Sequence, residues 1–231
     1  MLGGWTTAIM LAAIAAGSHA AHQPSAITIN FLQPVPPGSP IRVMVDALGG
    51  GRSVSHWAAR VRPVDSEEVL AAAIAVFTSR TVSDEHVQVT MPEVPGPEGL
   101  EVFHPPDPAG ERSDIRPVEG HPPFGRMDTR SVSWIREMSG RPVDRVQLAM
   151  LADQAAPRSF FWSDGPRLSA TLTMTVYFHA TDDELLAVGD DFVLHEAVGT
   201  RGVASTADQR ARLWNRSGVL LATTEQLTWY R

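Results

Sequence analysis

The chain has 231 residues, 43% of them hydrophobic and 19% charged, enough to bury a sizeable core and too apolar for global disorder. Its formal charge of −7 argues against a general nucleic-acid binder, because displacing counterions from a phosphate backbone needs clustered cations. There is no cysteine, so disulfides, thiolate metal sites and cysteine nucleophiles are excluded together; all nineteen basic residues are arginine, a compositional habit.

The first predicted element is a helix. Gly3-Gly4 leads into an apolar run from Ala8 to Ala16, followed by Ser18-His19-Ala20. Alone, that run resembles a secretory signal with a cleavage site. It lacks a basic start, the first basic residue being Arg42, and no run reaches the roughly 18 apolar residues of a membrane span. The phrase also recurs internally, as Leu148-Ala149-Met150-Leu151-Ala152-Asp153-Gln154-Ala155-Ala156-Pro157. A signal has no reason to return before the same series of strands, so the opening run is read as a core helix, and the chain as cytoplasmic.

Strands follow in each copy. Ala26–Leu32, Ile41–Leu48, Ser53–Val61 and Val69–Phe77 alternate in the first, with β-branched and aromatic residues enriched. The second offers Ala170–His179, one long extended segment from Glu184 to Val198, then Ala204–Trp214 and Val219–Tyr230. It also has strands before its helix, Ile115–Gly120 and Arg130–Met138, which the first copy lacks. Pro142 and Asp144 suit the first turn of the second helix. Between the copies the composition turns to Pro, Glu and Gly, the look of a linker. The division expected is 1–80 for a first domain without its leading strand, 81–113 for the linker and 114–231 for a second domain. Each unit is α+β, an antiparallel sheet wrapped around one central helix, so that the chain forms a pseudo-dimer.

Several phrases then resemble the acyl-CoA thioesterase II family, the double hot-dog thioesterases. In the first copy these are Gly3-Gly4, Phe31-Leu32-Gln33-Pro34 with Pro36-Pro37-Gly38, and Gly51-Arg52-Ser53-Val54-Ser55. In the second they are Ala152-Asp153, Ala170-Thr171-Leu172 leading to Phe178-His179, and Leu221-Ala222-Thr223-Thr224-Glu225-Gln226. The resemblance implies two fused hot-dog domains, an acyl-CoA substrate, no cofactor, and a catalytic aspartate, Ser/Thr and glutamine at Asp153, Thr171 and Gln226.

The repeat bears on the same residues independently. Superposing the copies sets Asp153 against Ala13, Thr171 against Pro24 and Gln226 against Ala75, so the polar set exists once. A buried aspartate has a raised pKa suited to a general base, a glutamine amide can hold a water, and a threonine hydroxyl can bridge the two. Gly4 and Trp5, at a helix N-terminus, are candidate oxyanion donors, and Arg52 a candidate contact for a CoA phosphate. No Gly-x-Ser-x-Gly elbow appears, which favours direct attack by water, and the scattered histidines give no zinc motif. The competing readings are a catalytically silent acyl-CoA-binding or protein-interaction module, and a hydratase, which would want a histidine near the second helix; Val143–Ala156 has none. Assembly into homo-oligomers is left open.

Overall fold

The computed structural model describes residues 3–19, 21–105 and 112–231. In the first half, α1 (Gly3–Gly17) precedes β1 (Gln23–Phe31), β2 (Ile41–Gly50), β3 (Val54–Pro63) and β4 (Ala71–Thr78). The second half runs β5 (Ser113–Glu119), β6 (Ser131–Glu137), α2 (Arg145–Leu151), β7 (Ser169–Phe178), α3 (Asp182–Val188), β8 (Val193–Val198), β9 (Gly202–Val203), β10 (Thr206–Trp214) and β11 (Leu220–Tyr230). Every pairing is antiparallel, in the order β2-β3-β4-β1-β7-β11-β10-β8-β6-β5, with β9 on β10. The seam is β1 against β7, where Ile27 faces Val176, so both halves share one sheet.

Period-two alternation decides which face meets the helices. On β4, Ala71, Ala73, Ala75 and Phe77 are buried while Ile74 is exposed. The small inward alanines leave room for α1, whose Met10, Leu11 and Ile14 lie in the same core as Leu148, Ala149 and Leu151 of α2. A helix surrounded on most sides needs no polar stripe, and α1 has none. This is the hot-dog arrangement expected, written twice. Among the described residues no helix is long and apolar enough to cross a membrane. Ala20, the last residue of the cleavage-like triplet, lies outside the described residues.

Three local expectations are corrected. The segment Glu184–Val198 is not one extended stretch: α3 occupies Asp182–Val188 and only Val193–Val198 is strand. The cause is a capping box, in which the Thr181 side chain accepts from the Glu184 N–H and the Glu184 carboxylate accepts from the Thr181 N–H. Ala204 and Ser205 do not open a strand; both adopt positive φ, 49° and 62°, as the turn between β9 and β10. Asp144 is the N-cap of α2, accepting from the Gln147 N–H, and Pro142 precedes the helix.

The Pro-rich segment carries no helix or strand through residues 79–102, yet it is packed. Val89, Met91, Val94 and Leu100 cover Val132, Trp134, Phe192, Leu194 and Trp214 on the outer face of the sheet. Trp134 Nε1 donates to the Pro95 carbonyl at 2.8 Å, and Arg116 donates to that of Pro97, also at 2.8 Å. Pro106 and Pro108 lie outside the described residues.

Arg158 is fully buried and, among the described residues, has no carboxylate beside it. Its guanidinium donates to the carbonyls of Ala156, Thr129 and Ala197 and to Ser131 Oγ, with the Phe161 ring 4.5 Å away. Burial pushes its pKa down to about 9. The planar fork is what spans those acceptors, and an ammonium cannot. Arg158→Lys is therefore expected to lower the unfolding free energy by about 3 kcal/mol, from lost charge-assisted hydrogen bonds, measured by urea denaturation. An unchanged midpoint would show that the carbonyl network does not hold this region.

Candidate active site

α2 ends sooner than the repeated phrase suggests. Its last residue is Leu151, and the chain tightens into i→i−3 bonds, Asp153 N–H to the Met150 carbonyl and Gln154 N–H to that of Leu151. Asp153 is thus in the turn beyond the helix, not inside it. The turn aims its carboxylate at the N-terminus of α1, where the Gly4 N–H donates to Oδ2 at 2.7 Å. On the other oxygen, Gln226 Nε2 donates to Oδ1 at 3.1 Å. Burial raises the Asp153 pKa from 3.8 to about 6; the two hydrogen bonds and the positive end of the α1 dipole oppose that rise without cancelling it.

The three candidates meet at one cleft of about 500 Å³. Asp153 and Gln226 are in direct contact there. Thr171 lines the same cleft from β7, its Cα opposite Thr228, and makes no direct hydrogen bond to Asp153. Residues 31–35 of the first half and 169–172 of the second form the opposing walls. Both halves are needed to make it.

Strand register supports the comparison of the copies. Gln226 faces Met174 as Ala75 faces Ile27, and Thr171 faces Thr228 as Pro24 faces Phe77. Each pair of strands even carries an irregularity at the same place, between Pro24 and Ala26 and between Leu227 and Thr228. Near the first-half counterpart of the site, guanidinium groups engage the backbone and neighbouring side chains. Arg80 donates to the carbonyls of Pro24, Phe178 and His179, while Arg145 donates to Gln23 Oε1, Asp182 Oδ1 and the Ala180 carbonyl.

Of the other three candidates, only Gly4 is at the site. The Gly4 N–H is engaged by Asp153, so it is not open to a substrate oxygen; a backbone donor this close to a carboxylate is taken by it. Trp5 packs against the core, with the Arg112 guanidinium 5.6 Å from its ring centre, and is not among the residues lining the cleft. Arg52 lines a separate hollow of about 400 Å³ with His22, Ser55 and Trp57. Sequence reasoning missed Gln209 and Thr228, both buried in the cleft wall. Their signal was the register of β10 on β11, which sets Gln209 directly opposite Gln226. His195, buried behind the turn, has Nε2 3.4 Å from the Ala152 carbonyl, and burial pushes its pKa down to about 4, so it stays neutral.

The family profile described as the acyl-CoA thioesterase N-terminal domain matches residues 1–78, and that described as the acyl-CoA thioesterase C-terminal domain matches residues 84–230. No curated protein matches the chain. Among solved structures, a conserved hot-dog protein of unknown function from Alicyclobacillus acidocaldarius is 32% identical, with a TM-score of 0.91 over 100% of this chain and 87% of that one. A tesB protein of Mycobacterium avium subs paratuberculosis is 25% identical, with a TM-score of 0.81 over 100% and 87%. An acyl-CoA thioesterase II of Mycobacterium marinum shares the fold at 20% identity, with a TM-score of 0.80 over 99% and 88%.

Close approach at Gly4 is the geometric condition for this site. A Cβ there would stand 2.4 Å from the Met150 carbonyl oxygen and 2.9 Å from Asp153 Cβ. Gly4→Ala is expected to force α1 off α2, costing about 1–3 kcal/mol of stability. Since the Gly4 N–H lowers the Asp153 pKa, its retreat should raise that pKa above 6, read by carbon-13 NMR titration of the carboxyl. A pKa at or below the wild-type value would contradict the assigned contact.

Proposed function

We propose that this chain, which belongs to the acyl-CoA thioesterase family matched by both of its halves, hydrolyses acyl-CoA thioesters to the free acid and CoA by direct attack of water. The observation that carries the proposal is Asp153: a carboxyl in a cleft, fixed on both oxygens, with its pKa raised to about 6. Near neutral pH it is ionised yet basic enough to take a proton, as a general base requires.

Asp153 accepts a proton from the attacking water as the oxygen bonds to the thioester carbon. Collapse of the tetrahedral intermediate breaks the C–S bond, and the proton passes to the departing CoA sulfur. Gln226 donates to Asp153 through Nε2 and keeps its carbonyl oxygen for the water. The Thr171 hydroxyl, across the cleft wall, supplies the second hold on that water. Both are orienting roles, which convert a diffusing nucleophile into a placed one.

The test is thiol release from a panel of acyl-CoA esters of different chain length. Asp153→Asn should lower kcat by about 10²–10⁴-fold. Because the base acts only when ionised, kcat/KM of the wild type should fall about tenfold per pH unit below about 6 and level off above it. Equal turnover by wild type and Asp153→Asn would remove Asp153 from the mechanism; no turnover of any ester would leave a binding module.

A further inference from the structure

Hydrolysis of a thioester needs a donor for the carbonyl oxygen as it gains charge, and most donors of the cleft are engaged. The Gly4 N–H goes to Asp153. Gln226 Nε2 goes to Asp153, with the Ala152 carbonyl at 3.5 Å and Met174 Sδ at 3.3 Å. The Thr228 hydroxyl donates to the Ala207 carbonyl.

Gln209 is different. It lies on β10 directly opposite Gln226, so the two amides project from the same face of the sheet. It is 2% exposed, lines the cleft, and its Oε1 is sealed without a hydrogen-bond partner. No described residue holds its Nε2. Its neighbours on that face, Ala207 and Ala211, are apolar, and its first-half counterpart, opposite Ala75 on β3, is Trp57. Leaving a buried amide unpaired is unfavourable, and such a group asks for a partner.

On the thioesterase reading above, on which this rests, we propose that Gln209 is a further catalytic residue. Its Nε2–H donates to the thioester carbonyl oxygen, and the hydrogen bond strengthens as water adds and that oxygen becomes an oxyanion. The amide neither gains nor loses a proton, and the bond it makes is released when the C–S bond breaks.

Steady-state kinetics with the acyl-CoA ester that the wild type turns over fastest test this, comparing Gln209→Met and Gln209→Glu. Methionine keeps the length without a strong donor; glutamate keeps the shape and, ionised at pH 8, donates nothing. Both should lower kcat about 10²-fold or more, with KM within about threefold and, in Gln209→Met, which adds no charge, the pH midpoint near 6 retained. Gln209→Met should unfold in urea no earlier than wild type, because a sealed, unpaired oxygen is removed. Wild-type kcat in either folded variant overturns the role and leaves the thioesterase reading intact. So does a loss of kcat in Gln209→Met that follows a displaced pH midpoint or a fall in stability, since Gln209 would then act only by supporting Asp153. A wild type silent towards every ester overturns the thioesterase reading, and this role with it.

Discussion

The contact between the Gly4 N–H and the Asp153 carboxylate is the constraint from which the rest of the site follows. It joins the N-terminus of one half's helix to the end of the other's, and only a residue without Cβ lets them approach so closely. The carboxylate it holds is not a stabilising element. Its pKa is raised in the folded state, so the folded protein binds that proton more tightly than the unfolded chain does. Stability then falls as pH rises from the ordinary carboxylate range through about 6, by up to about 3 kcal/mol for the full difference. The hydrogen bonds from Gly4 and Gln226 keep that penalty from being larger. The surrounding core, continuous across both helices and the seam between β1 and β7, carries the difference.

Duplication explains why such a penalty is met once. Two equivalent halves would present two sites, each with a buried carboxylate and a facing amide. Here the first half has Ala13, Pro24 and Ala75 at those positions, and arginine side chains tie down the neighbouring carbonyls. Arg80 donates to the carbonyl of Pro24, the counterpart of Thr171, and Arg145 to the side chain of Gln23 beside it. Gln209 likewise differs from Trp57, whose Nε1 donates to Ser55 within its own half.

What could be read from the sequence was what depends on periodicity. The repeated helix phrase and the alternating strands located both units, because burial on one face imposes a period of two wherever a strand occurs. Asp153, Thr171 and Gln226 were visible as polar residues facing apolar ones in the other copy. What escaped depends on where elements stop and what they touch. α3 was hidden in an apolar stretch, although Thr181 and Glu184 spell its cap. The end of α2 was hidden because Ala152, Gln154, Ala155 and Ala156 are good helix formers, and the contact that Asp153 makes with Gly4 beyond it is tertiary. Gln209 needed the register of β10 on β11, and an irregularity at Leu213 and Trp214 offsets a simple count back from the turn.

Exclusive use of arginine, which in the sequence looked only like a habit of composition, has structural consequences. Arg158 and Arg80 each gather several backbone carbonyls, and Arg145 joins the Ala180 carbonyl to the side chains of Gln23 and Asp182, a task for a rigid fork of five N–H donors. Arg158 does this beneath the turn that follows Asp153, linking the Ala156 carbonyl to those of Thr129 and Ala197, beside β6 and on β8. A glycine at position 199 gives it space, since a Cβ there would meet the Arg158 side chain at 2.9 Å. The turn that bears Asp153 is thereby held from one side by a buried guanidinium and from the other by the Gly4 N–H. Neither contact involves an opposing side-chain charge. The pKa of the Asp153 carboxyl is then governed first by burial, opposed by the hydrogen bonds from the Gly4 N–H and the Gln226 amide.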